Sequence, residues 1–531
     1  MTTVRETVHD LLRAWGLTTI FGNPGSNELP FLDRFPADFR YILGLHEGAV
    51  LAMADGYAQA TGRPALVNLH AAAGLGNAMG NLANAKEMHT PLIVTAGQQS
   101  RGLVGLGAML SEPDLTVVPT PHVKASLEPK RAQDVPRTLA QAYHLAMLPP
   151  RGPVFVSLPL DDWTAEVEPH EVEHLGRRRV TPLGGPGEGQ VEELATRLAA
   201  ASSPVLVLGP EVDVEPAFSQ AIELAEAARL PVWLAPHPPR CPFPTTHPHY
   251  RGVLPTNVAG VSENLAGHDF ILVLGAPVFR YHVNRPGPFL PPGAELVSVT
   301  SDPTAAARAP MGDALVGDVT RVLSALVKLG ARPADRAPVT PRTAPEKVPA
   351  DKAPFPAESV YDALAEVLPE DAVLISESTS NTGMLWERVP IRGAGGLYFP
   401  AAGGLGFGLP AAVGVALADP SRRVFAVIGD GAAQYGVQGL WSAAMHQLPI
   451  TFVVLRNNGY GGLQRFVDAL GVSGVPGLDL PGLDIVSVAA GYGLPAERVG
   501  TIAGLRAALT AMPDGPLLLE VPITGGPDLA G

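Results

Sequence analysis

A chain of 531 residues, 46% hydrophobic and 17% charged, is too long for one core and too apolar for disorder; at about 150 residues per domain, three domains are expected. A formal charge of −14, with Arg177-Arg178-Arg179 as its longest basic run, argues against a nucleic-acid binder. The single Cys241 excludes an internal disulfide framework and fits a cytoplasmic location, and no apolar run is long enough to span a membrane.

The N-terminus spaces Val8, Leu11, Leu12 and Trp15 as one helical face, with acids interspersed and no secretory apolar core. Short β-rich runs then alternate with Ala-rich stretches, which predicts an α/β protein of doubly wound parallel sheets. Buried strands are expected at residues 18–21, 65–69, 92–95 and 154–158, then at 205–208, 232–235, 270–274 and 296–299. The last third offers 373–376, 424–428, 451–455 and 517–521. Residues 181–189 (TPLGGPGEG) and roughly 331–356, with seven prolines, break the rhythm and predict extended linkers. Domains are therefore expected over 1–180, 181–345 and 346–531. A faint echo between AAAGLGNAMG from Ala71 and AAGGLGFGLP from Ala401 suggests that the first and last domains are related, though chance similarity of Ala/Gly-rich stretches also accounts for it.

The strongest local signal runs from Val424: VFAVIGDGAAQYGVQGLWSAAMHQLPITFVVLRNNGYGG. It reads as strand, GDG turn, helix, strand and Asn-Asn turn. Asp430 and Asn457 would then stand at the carboxyl ends of consecutive strands, facing one crevice. A carboxylate and an amide carbonyl suit Mg²⁺ or Ca²⁺, with diphosphate oxygens and a backbone carbonyl completing the shell. Gly429 and Gly431 admit phosphates close to the backbone, and a helix starting near Ala433 would aim its amides at them. Alone, Asp430 reads as a helix-capping turn residue; the Asn pair after the next strand favours the metal reading. The stretch from Gly406 to Ala411 fits G-x-G-x-x-A, but Pro410 interrupts it and no convincing strand precedes it, so nicotinamide binding is disfavoured.

The Gly429–Asn457 segment resembles the cofactor motif of thiamine diphosphate enzymes. FGNPGSNELPF, LHEG, NLHAAAGLGNAMG, APVFRYH, SESTSNT and AAGGLGFGLPAA resemble the benzoylformate decarboxylase branch in particular, across essentially the whole chain. The resemblance implies a pyrimidine-binding domain, a central domain and a diphosphate-binding domain. It also implies a homotetramer with active sites shared between two subunits.

By resemblance, Glu47 is the carboxyl group that bonds the aminopyrimidine N1′ and promotes the imino tautomer, which deprotonates the thiazolium C2; a partly buried setting would serve this. Leu405 is the wedge that folds the two cofactor rings together, and the Gly403 carbonyl accepts from the 4′-amino group. Ser26, His70 and His282 match positions that hold the 2-oxo acid carboxylate and move protons, a task suited to imidazole; His46 and His89 are left structural. Thr379, Ser380, Gly429, Gly431, Ala432, Tyr460 and Gly461 contact the diphosphate. Gly459 offers its carbonyl to the metal beside Asp430 and Asn457. Two departures from the family stand here: Gly459 replaces a side-chain-bearing residue, and Ala432 replaces a serine whose hydroxyl could reach phosphate.

Ser26, Met109, Leu110, Gly462, Leu463 and Phe466 resemble substrate-pocket positions, and their apolar, aromatic wall favours a phenyl group. Gly462 stands where the family has a small alanine, which enlarges the pocket slightly. The expected reaction is non-oxidative decarboxylation of an aryl 2-oxo acid to an aldehyde and CO₂. A carboligase or acetolactate-type synthase is the nearest alternative, and a non-catalytic cofactor-binding module would have lost Glu47.

Overall fold

The computed structural model describes residues 2–525, apart from Leu183 and residues 331–335; the predicted linkers therefore lie in part outside the described residues. Three six-stranded sheets carry the fold, every strand pairing within them being parallel. Each is covered by helices, as buried parallel strands require. The N-terminal helix Val4–Trp15 is closed by a Thr3/Glu6 capping box and by Gly16 in the left-handed region, and it packs its apolar face on the first sheet's core.

The twelve strands foreseen from apolar runs are the four inner strands of each sheet. The six outermost strands, Arg40–Leu43, Ala125–Leu127, Tyr250–Val253, Asp313–Val316, Leu397–Tyr398 and Ala496–Arg498, carry no such run. Most are half exposed and mix polar with apolar residues, and Leu397–Tyr398 is only two residues long.

Numbered within each sheet in chain order, the strands of the first and last sheets both lie in the order 2-1-3-4-6-5, whereas the central sheet lies in the order 3-2-1-4-5-6. The first and last domains thus share a topology. The Ala71 and Ala401 segments are nevertheless not equivalent places: the former follows the third strand of its sheet and forms helix Ala71–Glu87, while the latter follows the second strand as an irregular turn. The echo in sequence is a coincidence of Ala/Gly-rich composition.

The true counterparts are helix Glu47–Thr61 and helix Gly408–Ala418, each following the second strand of its sheet, and they pack on one another. A Cβ on Gly56 would sit 2.4 Å from the Ala411 carbonyl oxygen, and one on Gly414 would sit 1.9 Å from that of Met53. Glycine at both crossing points lets the backbones touch. Residues of both domains consequently share one apolar cluster.

The central domain is pinned at a polar junction. Arg240, its side chain 11% exposed, donates from Nε to buried Asp213 at 2.6 Å, Asp213 accepts from the Gly395 amide at 2.9 Å, and the guanidinium lies 4.7 Å over the Tyr398 ring. Residues 336–356, the described part of the proline-rich stretch, form no helix or regular strand. They lie as a strap against the last domain, with Phe355 fully buried and Arg336 capping carbonyls at the ends of two central-domain helices.

Candidate active site

Three adjacent strands of the last sheet end at one crevice. Val373–Glu377 leads into Thr379 and Ser380, Val424–Gly429 into Asp430, and Ile450–Arg456 into Asn457. The chain reverses direction across the sheet between the first and third of its strands, the usual place for a ligand crevice in such folds. Asp430 is 3% exposed and accepts from the amides of Gly431 at 2.8 Å and Asn458 at 2.7 Å. Burial pushes its carboxyl above the usual carboxylate range, opposed by those amides and that of Asn457. Among the described residues no Lys, Arg or His pairs with it, so the buried charge is left for a cation.

Among the described residues no three acidic, His or Cys side chains gather at one point. A metal here would therefore combine Asp430 with neutral oxygens, the Asn457 amide and a backbone carbonyl, which is the donor chemistry of Mg²⁺ or Ca²⁺. The turn itself is held by a second segment: the Tyr460 amide donates to the Leu478 carbonyl at 2.8 Å, and the Leu480 amide to that of Asn458 at 2.8 Å. A Cβ on Gly459 would approach the Leu478 carbonyl oxygen to 2.8 Å, which gives the departure at this position a local reason.

Gly431 lies under the Tyr460 ring, where a Cβ would be 2.6 Å from it; a Cβ on Gly461 would be 2.7 Å from Asn457 Nδ2 and 3.0 Å from Ser380 Oγ. Tyr460, Gly461, Ser380 and Asn457 are thereby drawn together, and Gly462 follows beside Thr379. Ala432 is buried. The helix expected near Ala433 is corrected: a single turn, Asp430–Ala433, is followed by a separate helix, Gly439–Met445. Gly436 and Gly439 between them press against Pro410, where a Cβ on either would come within 2.9 Å of the proline, and this close approach interrupts the helix.

The loop carrying Gly403 and Leu405 is clamped from both sides. Asn84, from the first domain, accepts from the amides of Ala402 and Gly404 and donates to the Gly404 carbonyl. Glu377, fully buried, accepts from the amides of Gly406, Phe407 and Gly408 at 2.8, 3.2 and 2.8 Å. Burial pushes Glu377 up to about 7 against these bonds. Sequence reasoning passed over both residues. A charge ending the apolar run VLISE, and Asn77, Asn81 and Asn84 on one helical face, were the available signals.

In the first domain Glu47 opens its helix and is only 9% exposed; Asn77 Nδ2 donates to its Oε2 at 3.0 Å. His46 caps that helix, accepting from the Gly48 amide, a structural role. Ser26 lies exposed in the turn after the first strand, and His70 follows the third. Glu28, also passed over in the sequence, bonds His70 Nδ1 at 2.8 Å and accepts from the amides of Gly25 at 2.8 Å and Gly97 at 2.9 Å. Leu110 joins this group through its carbonyl, which accepts from Asn27, and neighbouring Met109 is 81% exposed.

His282 is exposed, and its ring meets that of Phe466 edge-on at 5.2 Å, beside exposed Leu463; His237 packs edge-on against its other side at 5.4 Å. The predicted residues thus form two groups. Ser26, Glu47, His70, Met109 and Leu110 belong to the first domain; His282, Thr379, Ser380, Asp430, Asn457 and Phe466 belong to the rest. Among the described residues no hydrogen bond, ion pair or ring contact joins one group to the other.

Three family models match the chain: thiamine pyrophosphate enzyme N-terminal TPP binding domain over residues 2–117, central domain over 191–326 and C-terminal TPP binding domain over 379–521. Benzoylformate decarboxylase of Pseudomonas aeruginosa is 54% identical over 527 residues, 98% of this chain and 99% of that protein. A solved thiamine diphosphate-dependent 4-hydroxybenzoylformate decarboxylase of Rhodococcus jostii RHA1 superposes with a TM-score of 0.96 at 50% identity, covering 98% of this chain and 99% of its own. Acetolactate synthase isozyme 1 large subunit of Escherichia coli is 27% identical over 540 residues, 98% of this chain and 93% of that protein. The chain belongs to the thiamine diphosphate-dependent decarboxylases, in the benzoylformate decarboxylase family.

Proposed function

We propose that the protein decarboxylates a benzoylformate-like aryl 2-oxo acid to the aldehyde and CO₂, with thiamine diphosphate bound through Mg²⁺ at Asp430, Asn457 and the Gly459 carbonyl. When bound, the cofactor supplies a nucleophilic carbon and a sink for the electrons released as CO₂ leaves. Thr379 and Ser380, through their hydroxyls, and Gly429, Gly431, Tyr460 and Gly461, in the turns around the crevice, hold the diphosphate, while Leu405 and Gly403 set the ring geometry. Glu47 exchanges a proton with the pyrimidine. Ser26, whose hydroxyl has no hydrogen bond among the described residues, donates to the substrate carboxylate, and His70 and His282 carry protons to and from the reacting carbon.

The observation that carries the aryl preference is the meeting of His282 with Phe466, which sets a proton carrier against an aromatic wall beside the Gly461 turn. Leu463, Gly462, Met109 and Leu110 complete the wall. Release of benzaldehyde and CO₂ from benzoylformate, with Mg²⁺ and thiamine diphosphate present, is the expected result. Formation of a 2-hydroxyketone from pyruvate with no benzaldehyde from benzoylformate would favour the acetolactate-type reaction instead.

The assembly we propose is a homotetramer in which the two groups of site residues meet across a dimer interface. Exposed Leu103, Leu106 and Met109 on one group, and Leu463, Leu470, Val472 and Val475 on the other, support it. Domain limits at 180 and 345 fall between the sheets. No described helix is long and apolar enough to cross a membrane. A cytoplasmic location accords with the single, buried Cys241.

A further inference from the structure

The Glu28 side chain is 1% exposed, and among the described residues His70 is its one partner at ion-pair distance. Burying a carboxylate is costly unless its oxygens are satisfied, and here each has a fixed donor: Oε2 accepts from the Gly25 amide at 2.8 Å and Oε1 from the Gly97 amide at 2.9 Å. A group already accepting at both oxygens from backbone N–H is an acceptor toward its third partner as well. The 2.8 Å contact with His70 Nδ1 therefore carries its hydrogen on the ring.

The ring has little freedom to turn away. A Cβ on Gly25 would lie 2.1–2.3 Å from three of its atoms, so the Asn23–Ser26 turn is pressed flat against the imidazole. One carboxylate thus anchors both the turn that presents Ser26 and the edge of His70. With 24% of the His70 side chain exposed, the edge left for the substrate is Nε2.

We propose that Glu28 is a positioning residue that fixes His70 as the Nδ1-protonated tautomer, so that Nε2 can accept a proton and return it at the reacting carbon. This rests on the decarboxylase reading, in which His70 carries protons. It adds the requirement that the proton-carrying edge be selected by a buried group that never touches substrate. In Glu28→Gln the single amide oxygen serves either Gly25 and Nδ1 or Gly97, so the tautomer is no longer fixed, and wherever the NH₂ turns to Nδ1 the ring's Nε2 becomes a donor that cannot accept.

The test combines a spectroscopic and a kinetic readout on the holoenzyme. In magic-angle-spinning ¹⁵N spectra of histidine-labelled protein, with the His70→Ala spectrum subtracted, His70 is expected to be protonated at Nδ1 in the wild type and to gain an Nε2-protonated population in Glu28→Gln. With benzoylformate, Glu28→Gln should lower kcat by up to roughly 10²-fold with a smaller change in KM, the full loss of one general acid–base group setting the ceiling. Glu28→Asp should recover part of the loss. Glu28→Gln combined with His70→Ala should be no slower than His70→Ala alone, because the first change acts through the second residue. Losses that multiply in the double variant, or a wild-type His70 lacking the Nδ1 proton, would overturn the proposal, and the wild-type spectrum decides even if Glu28→Gln fails to fold. A wild type that releases no benzaldehyde would defeat the decarboxylase reading, while the tautomer measurement would still judge Glu28.

Discussion

The first and last domains are built on the same strand order and spend it on different chemistry. After the first strand the N-terminal domain has Ser26 and Glu28, and the C-terminal domain has Glu377, Thr379 and Ser380. After the second come Glu47 and Leu405, and after the third His70 and Asp430. Parallel strands deliver whatever follows them to one edge of the sheet, so topology decides where functional groups stand and the residues decide what they do. One edge collects titratable side chains, and the other collects neutral oxygen donors, one carboxylate and glycines. Even the two buried carboxylates diverge, Glu28 accepting from an imidazole and Glu377 from three consecutive amides.

The sharpest break in that comparison comes from disabling one edge at a time. Asp430→Asn should weaken metal-dependent cofactor retention by more than about 100-fold without destabilising the apoprotein, since an uncompensated buried charge is removed; calorimetric titration and thermal melts read the two effects. Glu47→Gln should leave cofactor affinity largely intact and lower kcat by roughly 10²–10⁴-fold; near-normal turnover would remove Glu47 from its assigned role. Mixing the two inactive variants after dissociation and reassembly should restore activity at about a quarter of sites by random assortment in dimers. A site contained within one chain would give none.

Smaller effects probe how the domains are joined. Arg240→Met leaves Asp213 buried without its partner and should cost about 3–5 kcal/mol of stability, separating the central domain's polar anchorage from the apolar contact between the other two. At that contact, Gly414→Ala and Gly56→Ala should each cost about 1–3 kcal/mol. Gly414→Ala should be the worse, because its Cβ meets backbone at 1.9 Å rather than 2.4 Å. Equal costs would mean that the helices adjust as a symmetric pair.

The last expected effect is pH-dependent. Glu377 sits at about 7 when folded, above the ordinary carboxyl value of 4.5, so the folded state binds its proton more tightly than the unfolded chain does. Its contribution to stability is present below pH 4.5 and lost as pH rises through about 7, at up to about 1.4 kcal/mol per pH unit. Denaturant melts of Glu377→Gln against wild type should diverge across that window, with the wild type gaining as the pH falls.

What the sequence determined by itself was local. Inner strands are buried on both faces, so each shows as a short apolar run, and the Asp430 and Asn457 turns each follow such a run within about thirty residues. Outer strands are half solvated and short, so no run marks them, and a strand order is not written in any one segment. Only the tertiary structure decided that Glu28 meets His70, that Asn84 reaches the Gly404 loop, that Arg240 finds Asp213, and that Gly56 and Gly414 mark one helix crossing. Each joins residues far apart in the chain, where partnership depends on how the sheets fold together and no spacing rule applies. The two groups of site residues stay unjoined among the described residues of one chain, and whether they meet between chains is what the mixing of inactive variants tests.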